Sequence, residues 1–345
     1  MPIFGSNVSL PILVRIEDNL LGKINDLLCE SNLLFTRPLI LTMPQTAPLA
    51  ERTAAGFKDA HVQEIQDNSY PQVETVEAII DEVKPDVLIG VGGGRVIDVA
   101  KFAGSRRMLP VVSVPTSLSN DGISSPISVI RFRKGARSVG VNVPTAVLVD
   151  LAAVSSAPLR NLRAGVGDLL SNISATNDWL LAYRKTAEHY DTVAALLARQ
   201  SALAMLSQEQ VNFTDPAFLR ALAEGLMLSG IAMGIAGTSR PCSGAEHLLS
   251  HALDELYPDK QSLHGEQVAM FALFTSILQK EPTQTEQAEF LQANDLLASP
   301  EDVGIDLAGF MKLVAHAPST RPGRYTVLDE TSETDIEKAY RKAYG

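Results

Sequence analysis

Three residues in the second half of the chain are of the types that hold a catalytic divalent metal: Asp168 in AGVGDLLSN, His247 in SGAEHLLSHALD and His264 in LHGEQ. One carboxylate and two imidazoles fill three positions of an ion and leave a fourth open, whereas a structural site closes all four. His247 and His251 are four residues apart in a stretch that reads as helix, so both project from one face. Either both ligate, or one ligates while its neighbour contacts whatever takes the open position. His264 stands at an expected helix start, about one loop away. Asp168 would also suit the first turn of a helix, where the dipole favours an acid with no metal involved.

Two segments nearer the N-terminus have the texture of ligand loops. VGGGRVIDVAK, residues 91–101, sets three glycines between an apolar strand and a helix, so that a pyrophosphate could approach the free N–H groups and positive end of the helix. The spacing differs from the GxGxxG dinucleotide fingerprint, and the same glycines would serve a tight turn with no ligand. VPTSLSNDGISSP, residues 114–126, is dense in hydroxyls and follows a second strand end. Such loops at the carboxyl ends of parallel strands bind ribose or phosphate, although Ser, Asn, Asp and Gly are also ordinary turn residues.

Short apolar runs alternating with amphipathic stretches over the first 150 residues predict βαβ units and a mainly parallel sheet. Strands are expected at RPLILTM (37–43), DVLIGVGGG (86–94), LPVVSVPTS (109–117) and AVLVDLAAV (146–154), with helices over 73–83 and VIDVAKFAG. A break at Ala157, Pro158 and Leu159 leads into Ala- and Leu-rich segments such as DLLSNISATNDWLLAYRK and TVAALLARQSALAMLSQEQV, whose apolar spacing is helical. The expected organisation is an α/β Rossmann-like dinucleotide-binding domain, residues 1–150, and an all-α metal- and substrate-binding domain, residues 151–345. Trp179 and its apolar stripe read as helix packing, and DIEKAYRKAYG as a solvated terminal helix. His61, His189 and His316 have no comparable company and no expected catalytic role.

At 345 residues the chain is long enough for roughly two domains. Its 40 acidic and 29 basic residues leave a charge of -11, which argues against a nucleic-acid partner needing a broad cationic face. One phosphate can still be held by a few local donors. Cys29 and Cys242 form no metal or disulfide pattern, which suits a reducing cytosol. MPIFGSNVSLPILVRIEDNL lacks a secretory pattern, and no run approaches ~20 uninterrupted apolar residues, so neither a leader nor a membrane span is expected.

Taken in order, VGGGRVIDVAK, PTSLSNDGISSP, AGVGDLLSN, SRPCSGAEHLLSHALD, LHGEQVA and RPGRYTVL resemble the sn-glycerol-1-phosphate dehydrogenase family, over about residues 10 to 330. That family lies within the iron-containing alcohol dehydrogenase and dehydroquinate synthase-like superfamily. The resemblance implies a Rossmann-like domain, a helical domain and an active site in the cleft between them. It implies cofactor contacts at Gly93, Gly94, Arg95, Val96, Ile97 and Asp98, then at Thr116, Ser117, Leu118 and Ser119, and at Ser125. Asp168, His247 and His264 correspond to the family's zinc ligands. Asp121, Asp168 and His251 correspond to substrate contacts, with Asp121 and His251 in catalytic roles.

The activity implied is hydride transfer between NAD(P)H and dihydroxyacetone phosphate, with a divalent ion polarising the carbonyl. Arg240, just before the His helix, is a candidate phosphate partner. The loop MPQTAP after the RPLILTM strand carries neither an acid for a ribose 2′-hydroxyl nor an Arg for a 2′-phosphate; NAD is expected, with NADP as the alternative. Zinc is the expected metal, with iron or nickel also compatible with the ligand set. The superfamily implies a homodimer or larger assembly, the cysteine usage a cytoplasmic location, and the family resemblance a small phosphorylated alcohol or ketone as substrate. The competing readings are a dehydrogenase of another polyol or phosphorylated alcohol, a dehydroquinate synthase-type cyclase, for which the set of active-site cations is not evident, and a nucleotide-binding relative without catalysis, which would require lost ligands.

Overall fold

Continuous apolar runs become strands covered on both faces. The computed structural model describes residues 8–133, 135–208, 211–260 and 262–345, and the first seven residues of the stretch read for a leader lie outside them. Its strands are β1 (Leu13–Glu17), β2 (Pro38–Thr42), β3 (His61–Glu64), β4 (Val87–Gly92), β5 (Val111–Pro115), β6 (Ile127–Phe132), β7 (Gly135–Gly140) and β8 (Ala146–Asp150). Among the described residues six form one parallel sheet in the order β1-β8-β5-β4-β2-β3, and β6 and β7 form an antiparallel hairpin. All residues of β2, β4, β5 and β8 are buried, as in a sheet with helices on both faces, and the edge strand β3 is short and partly exposed. Two apolar layers flank the sheet. One gathers Leu20, Ile24, Ile40, Ile89 and Leu148, the other Leu39, Val76, Leu88, Val99 and Ile130.

The chain forms two compact units, Met1–Pro158 with Phe213–Ile235, and Leu159–Asn212 with Ala236–Gly345. A single division at residue 150 differs from these units twice: the helix Leu151–Ser155 stays with the sheet, and Phe213–Ile235 returns to it. AVLVDLAAV is not one strand. The Asp150 carboxylate accepts from the N–H groups of Ala152 and Ala153, capping a short helix that ends β8. The described elements of the second unit are all helical.

The helix Pro216–Ala236 is long and apolar enough to cross a membrane, yet more than half of its most apolar stretch is buried in the protein, as in a core helix. It packs through Gly230, where a Cβ would stand 2.2 Å from Ser124 Oγ, and Ser124 Oγ donates to Met227 O at 3.1 Å. The C-terminal helix Glu333–Tyr344 is not solvated all round. Ile336, Ala339, Tyr340 and Ala343 are buried at helical spacing, and Tyr344 donates its hydroxyl proton to Met270 O at 2.7 Å.

Candidate active site

Ligand-type atoms of Asp168, His247 and His264 all lie within 4.8 Å of one another. His264 Nε2 is 3.7 Å from Asp168 Oδ1, close to the ~3.4 Å between two ligands of one tetrahedral ion. Backbone proximity brings the pair together. The helices Leu159–Leu170 and His264–Leu278 meet at glycines: a Cβ on Gly167 would stand 2.5 Å from Gly265 O, and one on Gly265 only 1.9 Å from Ala164 O. Each glycine adjoins a candidate ligand, so the close crossing sets Asp168 against His264. Asp168 sits in the last turn of its helix, not the first. The helix dipole there disfavours an acid, which removes the alternative role expected for it. His264 opens its helix, whose N-terminus is closed by the Glu266 carboxylate accepting from Leu263 N–H at 3.1 Å.

His247 and His251 share a face of the helix Ala245–Leu256 but have different surroundings. The His247 ring lies 4.9 Å from that of His264, and its Nδ1 is 2.9 Å from Glu246 Oε1. Glu246 is fully buried and also accepts from Ser174 Oγ at 2.7 Å and Gly244 N at 2.5 Å. His251 Nε2 instead accepts from Arg321 Nη2 at 3.1 Å, which leaves the ring proton on Nδ1. Burial first, then the Arg321 and Arg324 guanidiniums, push the His247 pKa down to about 3. Burial and Arg321 push that of His251 to about 2. His264 is driven the same way by burial, His247 and Arg321. The imidazoles are therefore held in the neutral form, and His247 and His264, unlike His251, keep a lone pair for a cation.

In the first unit the glycine turn and the hydroxyl loop are neighbours. Thr116 N–H donates to Gly92 O at 3.0 Å, joining the ends of β4 and β5, and a Cβ on Gly94 would lie 3.4 Å from Asn120. The helix Gly94–Arg107 has no side-chain cap on Gly93, and the space where a Gly93 Cβ would stand is open. Its N-terminus is thus clear for an anion. Ser117 Oγ is buried with no hydrogen-bond partner, an orphan that a ligand would satisfy. Arg95 is exposed and Ser119 partly so, whereas Val96, Ile97 and Leu118 have their side chains in the core and can offer a ligand only backbone. Ser125 is buried, its hydroxyl donating to Ile127 O at 3.3 Å.

Lys101 was absent from the site expected from sequence, although it lies within the glycine motif. Its ammonium is fully buried, 3.7 Å from Asp98 Oδ1, and donates to the carbonyls of Gly122 at 2.7 Å, Ser125 at 3.1 Å and Ile127. It thereby holds the loop carrying Asp121 and Ser125. Burial raises the pKa of Asp98 and Asp121, and Lys101 opposes the rise in both.

Arg240 is not placed to receive a phosphate. It is 2% exposed, donates from Nε to Glu188 Oε1 at 2.8 Å and from Nη2 to the other carboxylate oxygen, and reaches Tyr325 O at 3.0 Å. Its charge is neutralised by Glu188. Glu246, Arg321 and Arg324 also escaped the sequence reading; an acid directly before His247 and the pair of arginines in RPGR were the available signals. Trp179 packs in the core and donates to His189 O at 2.8 Å, His316 pairs with Glu255 at 2.7 Å, and His61 is exposed on β3.

A parallel sheet ending in a glycine turn, joined in one chain to a helical unit with a partly buried Asp-His-His set, defines the class of metal-dependent alcohol dehydrogenases. The family model of iron-containing alcohol dehydrogenases matches residues 15–158. A probable glycerol dehydrogenase from Sinorhizobium meliloti shares the fold, with a TM-score of 0.74 at 23% identity over 98% of each chain. Closer in sequence are the glycerol-1-phosphate dehydrogenases [NAD(P)+] of Staphylothermus marinus, 37% identical over 97% of this chain and 96% of the relative, and of Pyrococcus furiosus, 38% identical over 85% and 86%. The chain belongs to the glycerol-1-phosphate dehydrogenase family. It is an enzyme, an oxidoreductase of the alcohol dehydrogenase type.

Proposed function

We propose that the protein interconverts dihydroxyacetone phosphate and sn-glycerol 1-phosphate by hydride transfer with NAD, NADP being the alternative cofactor. The observation that carries this reading is the convergence of Asp168, His247 and His264 within 4.8 Å in a chain 37% identical to a glycerol-1-phosphate dehydrogenase along nearly its whole length. The donor set fits a divalent cation: two imidazoles held neutral by their surroundings and one buried carboxylate, with His247 Nδ1 already turned to Glu246 so that Nε2 is left for ligation. We propose zinc, which suits a mixed His and carboxylate set with one open position. When bound, the ion supplies Lewis-acid stabilisation of negative charge on the substrate oxygen.

The chain's own residues do the rest. In this reading residues 1–150 bind the cofactor, and 151–345 the metal and substrate. The uncapped helix start at Gly93 and Gly94 receives the pyrophosphate, with backbone from Arg95, Val96 and Ile97. Asp98, Thr116, Ser117, Leu118, Ser119 and Ser125 complete the cofactor contacts, the orphaned Ser117 hydroxyl among them. Asp121, Asp168 and His251 contact the substrate. Neutral His251, carrying its proton on Nδ1, and Asp121 orient the substrate hydroxyls; with His251 Nε2 engaged by Arg321, the proton passes through a water. We place the enzyme in the cytoplasm, as a homodimer or larger assembly, with small phosphorylated substrates and no nucleic-acid or membrane partner.

The test is an assay of metal-analysed protein with NADH and NADPH against dihydroxyacetone phosphate, dihydroxyacetone and glycolaldehyde, with the product's chirality determined. Turnover of the phosphorylated ketone to the sn-1 product is expected. No oxidation of either cofactor with that ketone at full metal occupancy contradicts the reading, and faster turnover of dihydroxyacetone favours a glycerol dehydrogenase instead.

A further inference from the structure

The helix Leu307–Thr320 ends at Arg321, and a turn through Gly323, closed by Arg324 N–H donating to Arg321 O at 3.1 Å, returns the chain so that two guanidiniums flank one place. Arg321 Nη2 stands 3.1 Å from His251 Nε2. Arg324 is fixed to the segment before the His helix, donating from Nη1 to Ser243 O at 2.5 Å and from Nη2 to Ser239 Oγ at 2.9 Å. Both are partly buried, and their positive field reaches His247 and His251. The third arginine of the neighbourhood, Arg240, has its charge cancelled by Glu188.

Two guanidiniums stand beside the candidate metal set, where Asp168 and, behind His247, Glu246 are the carboxylates; Arg324 faces Glu246 and Glu188, and Arg321 stands on His251. An anion is the ligand that such a place attracts, and a planar fork with paired N–H donors matches phosphate oxygens. A neutral polyol would accept weaker hydrogen bonds, without the charge assistance.

We propose that Arg321, steadied by Arg324, forms the phosphate subsite and determines the preference for a phosphomonoester over the corresponding free alcohol or ketone. The subsite rests on the dehydrogenase reading above and assigns its specificity to residues that have no part in holding metal or nucleotide. Arg321 lies on His251, so the phosphate and the hydroxyl oriented by His251 belong to one small molecule.

The experiment compares kcat/KM for dihydroxyacetone phosphate and dihydroxyacetone in the parent, Arg321→Met and Arg321→Lys proteins, with inorganic phosphate as competing inhibitor. Metal content and melting temperature are measured on each. Loss of a charge-assisted, paired hydrogen bond predicts that the ratio of the two kcat/KM values falls roughly 10- to 100-fold in Arg321→Met. The fall should come through KM for the phosphorylated ketone, and phosphate inhibition should weaken in parallel. Arg321→Lys keeps the charge without the fork and should fall between; it decides the matter if Arg321→Met does not fold or hold metal. A parent enzyme that prefers the phosphorylated ketone, with both variants keeping that preference and their sensitivity to phosphate, overturns the subsite alone. A parent enzyme without the preference overturns the substrate reading instead. Arg240→Lys, which keeps the charge paired with Glu188, should leave the ratio where it is; a collapse there would place the subsite at Arg240.

Discussion

Glu246 Oε1 stands 2.9 Å from Nδ1 of the residue that follows it, His247, and the carboxylate is fully buried. Adjacent helical residues do not ordinarily face each other, and here the Glu246 side chain folds back over the helix start, accepting from Gly244 N and Ser174 Oγ as well. The result is a carboxylate that fixes the tautomer and ring orientation of His247.

Glu246→Gln should therefore weaken metal binding about 10- to 100-fold, because such supporting partners tune a ligating imidazole. A competition titration of the metal-free protein with a chelator reads this without recourse to activity. Unchanged affinity would show that His247 is held by packing alone.

Gly265→Ala puts a methyl group 1.9 Å from Ala164 O, a backbone atom that cannot swing aside. The helices must separate, at a cost of about 1–3 kcal/mol or more, and the Asp168 to His264 spacing opens with them. Urea denaturation should report the lost stability and metal analysis the lost ion. A variant that keeps both would mean the crossing is looser than the geometry implies.

Lys101→Met removes the ammonium that bridges Asp98 and three loop carbonyls. Breaking a buried ion pair typically costs about 3–5 kcal/mol, and release of the loop should raise KM for the cofactor. Equilibrium denaturation and cofactor titration test the two effects. A variant as stable as the parent, with unaltered KM, refutes the holding role of Lys101.

Asp178 supplies a pH dependence. Burial, and next Glu246, raise its pKa from 3.8 to about 7 despite bonds from Ala245 N, Val327 N and Gln279. A raised folded-state pKa means that the folded protein binds the proton more tightly than the unfolded chain. The contribution is thus complete below about 4 and is lost as pH rises through about 7. Melting temperature measured across that window should decline more steeply in the parent than in Asp178→Asn. Equal slopes would assign the titration elsewhere.

Much of the fold was legible because strands buried on both faces must be mainly apolar, as β2, β4, β5 and β8 are apart from Thr42, Ser113 and Asp150. β1 carries Arg15 and Glu17 and is paired on one side only, so its pattern is weaker. The hairpin β6 and β7 went unread because β7 is exposed nearly throughout and has no apolar face to announce it. Among site residues, the histidines were visible from type and spacing. Asp168 was visible as a candidate ligand, but its place at a helix end depended on the break at Ser171, which no Pro or Gly marks. Arg321 lies about 70 residues from His251 in the chain, and their meeting is a product of tertiary packing that local pattern does not encode.

Metal content of the purified protein tests the central claim most directly. One divalent ion per chain is expected in the parent and a loss of that ion in His264→Ala with the fold retained, while a His264→Ala protein that still carries a full equivalent would contradict the assignment of Asp168, His247 and His264 as the metal site.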